Sequence, residues 1–259
     1  MTARGPERIT SAANPLLKDL RRLAQDTQAY RKLGRIWLEG DHLCDAALQR
    51  GIRPQVAVFC ESLWDEQSHR WGGEAARELI VPDALFGGIS ALESPARMGF
   101  VIDAPARPAL DAKAPSVVLD RVQDAGNAGS ILRSAAAFGF RQVIAMKGTV
   151  ALWSAKVLRA GMGAHFGLAL LESAEPHELD TLAVPLVATS SHHGEFIHET
   201  RLPWPCAWLL GHEGQGVDAE LVRRAKFTVR IAQPGGEESL NVAAAAAICL
   251  HASATAGKG

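Results

Sequence analysis

The sequence predicts an α/β fold built largely on a parallel sheet. Short apolar segments alternate with helical ones along most of the chain, the order expected when helices connect parallel strands. Several of the short segments are apolar at every position, as strands are when both faces of their sheet are covered. With 259 residues, 47% of them hydrophobic, the chain is long enough for one large or two medium domains.

The first hundred residues are predicted to form a small α/β unit. A helix is expected over residues 10–29, because leucines recur at helical spacing from Leu16 to Leu23 and Thr10 or Ser11 can cap it. The other segments expected here are a strand at 35–40, a helix at 42–49, and short elements at 56–59, 79–81, 83–86 and 100–102.

Residues 104–115 are predicted to be a linker, because three prolines stand among small residues there. We therefore expect one domain at 1–103 and a second at 116–259. The second domain is expected to contain, in order, elements at 116–119, 131–138, 142–146, 154–160, 167–171, 184–189, 207–210, 219–225, 227–231 and 239–250.

The last predicted strand and helix enclose a polar loop. Hydrophobic residues alternate with polar ones over 227–231, a Pro-Gly-Gly turn follows, and an apolar helix is expected to begin at Ser239. A serine before an apolar helix is most often only an N-cap. Here Asn241 follows, a residue that competes for backbone hydrogen bonds and lowers helix propensity, so the loop is also a candidate functional site.

Charge is unevenly distributed, although the net charge is only −1. Residues 1–35 hold eight Lys or Arg against three acids, whereas residues 36–110 hold six against eleven. A concentrated basic segment suits a phosphate-binding surface, because counterion release depends on local contacts. The alternative is the solvated face of an amphipathic helix, which such charge runs commonly form.

The composition favours a protein without disulfides, metal or membrane spans. The four cysteines, Cys44, Cys60, Cys206 and Cys249, lack Cys-x-x-Cys spacing and lie among apolar residues, which indicates reduced core thiols. No apolar run approaches the roughly 18 residues of a membrane helix, and no signal peptide follows Met1. We expect a cytoplasmic location.

Three segments resemble, in order, the three signatures of the SpoU-type RNA 2'-O-ribose methyltransferases. They are residues 123–133 (QDAGNAGSILR), 209–217 (LLGHEGQGV) and 231–244 (IAQPGGEESLNVAA). One glycine-rich loop would be a weak signal, but three spaced motifs across one domain are specific. The family commonly has Pro-Met where this chain has Ala232-Gln233, and often Ser where it has Gly161.

The resemblance implies methyl transfer from S-adenosylmethionine to a ribose 2'-hydroxyl of RNA, with ribosomal RNA favoured over transfer RNA. It implies the SPOUT fold, in which a parallel-sheet catalytic domain ends in a deep trefoil knot. It also implies a homodimer through the catalytic domain, because family sites form at a subunit interface. The rival from another class is a non-catalytic RNA-binding ribosome-assembly factor on the same fold.

The start of the chain resembles the L30e-like RNA-binding domain that precedes the catalytic domain in many of these enzymes. The matching residues are 9–16, 30–31 and 38–40. The RNA-binding candidates are Lys18, Arg21, Arg22, Arg31, Arg133 and Arg159. For Arg159 and its neighbour Lys156, phosphate contact and plain solvent exposure are equally consistent with the sequence.

The motifs also imply the site residues. The catalytic candidates are Asn127, Arg133, Glu213, Ser239 and Asn241. The cofactor candidates, on three loops whose glycines let the backbone approach a ligand, are Thr189, Gly211, Glu213, Gly216, Ile231, Ser239 and Leu240. A guanidinium has no acceptor, so we expect Arg133 to bind phosphate and stabilise the developing alkoxide, with Glu213 as its ion-pair partner.

Two other functions are less consistent with the residues. Gly211, Gly214 and Gly216 lack the G-x-G-x-x-G spacing of a dinucleotide-binding loop. A histidine-rich tract suggests metal binding, but His192, His193 and His198 stand in a Ser/Gly/Glu-bearing loop with no cysteine or tight carboxylate set.

Overall fold

The computed structural model describes residues 5–91, 94–235 and 239–256. Arg4 of the basic segment and residues 236–238 of the last loop therefore lie outside the described residues. The chain divides into two compact units, Met1–Ala106 with Trp153–Phe166, and Arg107–Leu152 with Gly167–Gly259.

The first unit is built on a five-stranded mixed sheet. Its strands are β1 (Glu7–Arg8), β2 (Arg35–Glu39), β3 (Val56–Cys60), β4 (Arg77–Val81) and β5 (Met98–Asp103). The sheet order is β1-β4-β3-β5-β2, in which β5 is antiparallel to β2 and β3 and the other pairs are parallel. Its first five helices are α1 (Pro15–Gln25), α2 (Ala29–Leu33), α3 (Asp41–Gln49), α4 (Glu61–Trp71) and α5 (Asp83–Gly87).

Helix α1 is shorter than the helix predicted over residues 10–29. It begins at Pro15, whose fixed φ suits the first helical position. Asn14 caps it, because the side-chain oxygen accepts a backbone hydrogen bond from the first turn at 2.9 Å. The cap expected at Thr10 or Ser11 is therefore wrong.

The second unit is built on a seven-stranded sheet in which all described pairs are parallel. Its strands are β6 (Ser116–Leu119), β7 (Gln142–Met146), β8 (Ala169–Ala174), β9 (Leu186–Thr189), β10 (Glu195–Phe196), β11 (Ala207–Leu210) and β12 (Phe227–Arg230). The sheet order is β10-β12-β9-β11-β6-β7-β8. The predicted parallel sheet is confirmed, and β6, β7 and β11 are buried at every position.

The helices of the second unit are α6 (Ala125–Ala137), α8 (Ala219–Arg224) and α9 (Val242–Ala256). Helix α6 begins before the predicted segment 131–138, because Asp124 caps it by accepting from the backbone N–H of Asn127 at 2.7 Å. Helices α6 and α9 pack against each other. Two 3-10 helices, Ala164–Gly167 and Pro176–Thr181, precede and follow β8 in the sequence.

One helix from the second half of the sequence belongs to the first unit. Helix α7 (Ala155–Gly161) lies in the segment Trp153–Phe166 and packs against β2 and α1. The RNA-binding role expected for residues 1–103 and the catalytic role expected for residues 116–259 stay predictions.

The four cysteines are buried and free, as predicted. Burial raises the pKa of the Cys249 thiol to about 12 and that of Cys206 to about 11, so both stay protonated at neutral pH. Among the described residues, no helix has the length and apolar character needed to cross a bilayer.

Candidate active site

The candidate site lies where four parallel strands end. Strands β6, β9, β11 and β12 are neighbours in the sheet, and the three motifs and Thr189 lie at or after the ends of these strands. Parallel strands present their carboxyl ends at one edge of a sheet, where ligands of open α/β folds bind. The fold therefore brings together loops that are far apart in sequence.

Glu213 of the second motif is bonded to the first motif at the start of α6. Its carboxylate accepts from the backbone N–H groups of Gln123 and Asp124, both at 3.2 Å, and from the Asn127 side-chain amide at 3.1 Å. A carboxylate is favoured at this end of a helix, where free N–H groups and the helix dipole attract negative charge.

Asn241 of the third motif is bonded to Asn127 as well. Its side-chain N–H donates to Asn127 Oδ1 at 2.9 Å, while its own Oδ1 accepts from the backbone N–H groups of Ala243 and Ala244 at 2.9 and 3.2 Å. Asn241 is thus the N-cap of α9. The prediction that this helix begins at Ser239 is wrong, because the cap residue lies two positions later.

Glu213, Asn127 and Asn241 therefore form one hydrogen-bonded series, which we call the polar chain. One side chain comes from each of the three motifs, and Asn127 uses its oxygen towards Asn241 and its nitrogen towards Glu213. Opposite ends of one amide thus join two other loops.

The pKa of Glu213 is lowered by this arrangement. Partial burial of the carboxylate acts to raise the pKa, but the hydrogen bonds from Asn127 and from the backbone at Asp124 and Gln123 outweigh burial. The carboxylate is therefore ionised at neutral pH, as an acceptor of three N–H groups must be.

Arg133 lies on α6 with its side chain exposed. Within the described part of this single chain no salt bridge joins Arg133 to Glu213, because both Glu213 oxygens accept from α6 and the residues before it. Glu213 positions the start of α6 instead.

A cavity of about 900 Å³ opens beside the polar chain. All seven cofactor candidates line it: Thr189, Gly211, Glu213, Gly216, Ile231, Ser239 and Leu240. Asn241 lines it too, whereas Asn127 and Arg133 are not among its lining residues. The hydroxyl of Thr189 donates to the carbonyl of Leu209 at 3.0 Å, so it stabilises the cavity wall.

The loop after β11 folds back tightly on itself. The backbone N–H and C=O groups of His212 and Gly216 exchange two hydrogen bonds at 3.0 and 2.8 Å. A Cβ at Gly211 would lie 2.1 Å from the carbonyl carbon of Gly216, and Gly216 itself has φ +68°. Gly211 therefore has no room for a side chain, and the backbone conformation of Gly216 favours glycine.

Asp120 and Arg121 hold this loop from the end of β6, a feature that the sequence analysis missed. Asp120 is 3% exposed and accepts from the backbone N–H of Asp218 at 2.7 Å and from Arg121 at 2.8 and 2.9 Å. Arg121 also donates to Gln215 Oε1 at 2.9 Å, and hydrogen bonding to Asp120 raises its pKa. An acidic residue directly after the apolar run 117–119 is the signal that could have revealed it.

The RNA-binding candidates of the first unit differ in their contacts. Lys18, Arg22 and Arg31 are exposed on α1 and α2. Arg21 donates to the carbonyls of Gly88 and Ala12 at 3.1 and 3.0 Å, so it stabilises the unit. Arg159 on α7 is partly buried, and its Nη1 has no hydrogen-bond partner among the described residues.

The chain is similar to a family of RNA-modifying enzymes over its second half and to individual relatives over nearly its whole length. Residues 114–251 match the family described as SpoU rRNA Methylase. The 23S rRNA (guanosine(2553)-2'-O)-methyltransferase RlmP of Bacillus subtilis is 28% identical over 95% of this chain and 98% of its own. An uncharacterized tRNA/rRNA methyltransferase of Synechocystis is 31% identical over 94% and 92%.

A solved structure is similar to this chain over nearly its whole length. The crystal structure of the AdoMet-bound rRNA methyltransferase from Sinorhizobium meliloti superposes with a TM-score of 0.83 at 26% identity, covering 95% of this chain and 97% of that one.

Replacing Glu213 with Gln should lower the melting temperature at neutral pH, because an amide oxygen is a weaker acceptor than a carboxylate. The folded-state pKa of Glu213 is depressed, so its stabilising effect is complete above the ordinary value of 4.5 and is lost as the pH falls through the folded value. The gap in melting temperature between wild type and E213Q should therefore shrink in acid.

Calorimetry between about pH 3 and pH 7 measures this gap. Asp65→Asn, which removes an exposed carboxylate from the first unit, controls for the change in net charge. A gap that stays constant or widens towards acid pH would contradict the bonding assigned to Glu213.

Proposed function

Since the chain belongs to the SpoU rRNA methylase family, we propose that it transfers a methyl group from S-adenosylmethionine to a ribose 2'-hydroxyl of ribosomal RNA. It is an RNA 2'-O-ribose methyltransferase, and its fold is the family's α/β parallel-sheet domain with a C-terminal trefoil knot. The observation that carries the proposal is the polar chain, which joins one side chain from each family motif beside the cavity.

The cavity fits S-adenosylmethionine. Its volume, about 900 Å³, lies in the range of small-molecule sites, and the absence of side chains at Gly211, Gly214 and Gly216 lets a ligand approach the backbone closely. The wall also holds a buried acceptor with no partner among the described residues, Gln233 Oε1. Bound S-adenosylmethionine supplies an electrophilic methyl group.

The residues of this chain position the reacting groups and stabilise the charge that develops during methyl transfer. The ribose hydroxyl must face the methyl group in line, and negative charge grows on its oxygen as the proton is lost. We assign to Arg133 the binding of the target phosphate and the stabilisation of that charge, because a guanidinium is a fixed cation that cannot accept a proton. Asn127, Glu213 and Asn241 hold the loops, and Ser239 lines the cavity where it can bond the substrate.

Recognition of RNA is assigned in part to the first unit. In this proposal residues 1–103 form an L30e-like RNA-binding domain, 104–115 a linker and 116–259 the catalytic domain. Exposed Lys18, Arg22 and Arg31 support it, since counterion release favours clustered cations. Arg21 and Arg159 are weaker candidates because both are partly buried.

A homodimer through the catalytic domain is also part of the proposal. Helix α9 is rich in alanine and other apolar residues on all its faces, and Ile248 on it is 41% exposed. A helix that is apolar all round favours burial on more than one side. The proposed location is the cytoplasm, which the buried free thiols support.

Methyl transfer is tested with tritiated S-adenosylmethionine and unmodified ribosomal or transfer RNA. We expect label in ribosomal RNA at a linkage that resists alkaline cleavage, because a methylated 2'-oxygen can no longer attack the adjacent phosphate. Arg133→Ala should lower kcat by about a hundredfold or more, as loss of transition-state charge stabilisation does. Its affinity for S-adenosylhomocysteine should not change, because Arg133 does not line the cavity.

Arg141→Ala, which removes another exposed cation of the same unit, is the matched control and should stay active. Near-full turnover by Arg133→Lys would show that the forked guanidinium is not needed. Cofactor and RNA binding by wild type without any transfer would support the rival assembly-factor function.

Ile248→Glu should convert the dimer into a monomer, because it places a charge in the apolar face proposed to be covered. Light scattering after size-exclusion chromatography gives the mass directly. Met162→Glu is the matched control, since Met162 is equally exposed at 42% but belongs to the first unit. A dimer that survives I248E and dissociates with M162E would place the interface elsewhere.

A further inference from the structure

The described wall of the cavity contains a single Lys or Arg side chain, Arg223 on α8. Arg223 is exposed, and no ion pair or hydrogen bond involves its guanidinium within the described ranges. Its neighbour Arg224 is different, because it pairs with Asp180 and with Glu220. Of two adjacent arginines, one is thus committed to the protein and the other is free to bind a ligand.

No described group in the cavity neutralises Arg223. Glu213 is the one carboxylate along the described wall, and its two oxygens already accept from Gln123, Asp124 and Asn127. The three histidines of the wall, His192, His193 and His212, carry no negative charge. Along the described wall Arg223 is therefore an uncompensated cation, and an anionic group is the complementary ligand.

We propose that Arg223 binds the carboxylate at the amino-acid end of the cofactor, an inference that rests on the proposed function. S-adenosylmethionine carries one anionic group, its α-carboxylate, and a guanidinium matches a carboxylate with two parallel N–H donors. Arg223 thereby selects an adenosyl cofactor with an intact amino-acid tail over the same nucleoside without it. The adenosine end of the cofactor would bind the three glycine-bearing loops that carry the cofactor candidates.

Phosphate of the RNA is the other anion that a cation at this position could bind. The cavity wall favours the cofactor, because Arg223 shares it with all seven cofactor candidates. The two anions can be distinguished without RNA. If Arg223 binds the cofactor carboxylate, its replacement weakens cofactor binding in the absence of RNA, and if it binds RNA phosphate, cofactor binding is unchanged.

The test compares two ligands by calorimetry on the full-length protein without RNA. S-adenosylhomocysteine has the carboxylate, and 5'-methylthioadenosine lacks the whole amino-acid tail. Arg223→Ala should weaken the binding of S-adenosylhomocysteine by about three- to tenfold, as loss of a charge-assisted hydrogen bond at a partly solvated site does. Its affinity for 5'-methylthioadenosine should equal that of wild type.

Three further variants make the comparison specific. Arg223→Lys should retain much of the affinity for S-adenosylhomocysteine, because it keeps the positive charge. Arg223→Glu should lose more of this affinity than Arg223→Ala, because it introduces a negative charge. Arg201→Ala, an exposed cation of the same unit outside the cavity wall, should bind both ligands as wild type does. Added salt should weaken S-adenosylhomocysteine binding in wild type more than in R223A.

Equal weakening of both ligands by Arg223→Ala would overturn the inference, because it would indicate a role in loop structure. Unchanged S-adenosylhomocysteine binding with weaker RNA binding would overturn it in favour of phosphate. If wild type binds 5'-methylthioadenosine and S-adenosylhomocysteine equally, the inference fails while the cofactor site stands. If wild type binds neither, nor S-adenosylmethionine, the proposed function itself fails and the inference with it.

Discussion

The site depends on one constraint, the hydrogen bonds that a single amide makes at both of its ends. Asn127 accepts from Asn241 and donates to Glu213, residues that lie 114 and 86 positions away in the sequence. Neither bond can form locally, so both require the parallel sheet to bring the loops to one edge. Asn241 also caps α9, and Glu213 also accepts from the backbone at the start of α6, so the polar chain is tied to the first turns of two helices.

A second set of hydrogen bonds holds the loop after β11. Asp120 is almost completely buried, and its charge is balanced by Arg121 and by the backbone N–H of Asp218. Arg121 adopts a left-handed backbone conformation, φ +55°, uncommon for a residue with a side chain. Strain of this kind persists where surrounding contacts over-determine the conformation. The loop beside the cavity is thus tied to α6 through Glu213 and to β6 through Asp120.

Much of the fold could be predicted from the sequence, and the failures have physical causes. Most parallel strands of the second unit were predictable from short, largely apolar segments such as that of β11, and the motif loops were predictable because their residue types are specific. The strands β1 and β10 were missed, because two residues are too few to show a pattern. Helix ends were wrong at α1 and α9, since capping by Asn14 and Asn241 depends on side-chain geometry and not on periodicity. Helix α4 was missed: Gln67 interrupts it with non-helical φ and ψ, which weakens its pattern. The place of α7 in the first unit and the partners of Glu213 depend on long-range contacts that local patterns do not encode.

Asn127 and Asn241 are expected to act as a unit in positioning the site. A double-mutant cycle of kcat/KM for methyl transfer, with Asn127→Ala and Asn241→Ser, tests it most directly; Ser keeps an oxygen to cap α9 and removes the amide donor. We expect strong coupling, in which the double variant loses little more than the worse single variant, with a coupling energy of about 1 kcal/mol or more. Losses that simply add would show that the two residues act independently and do not position the site together.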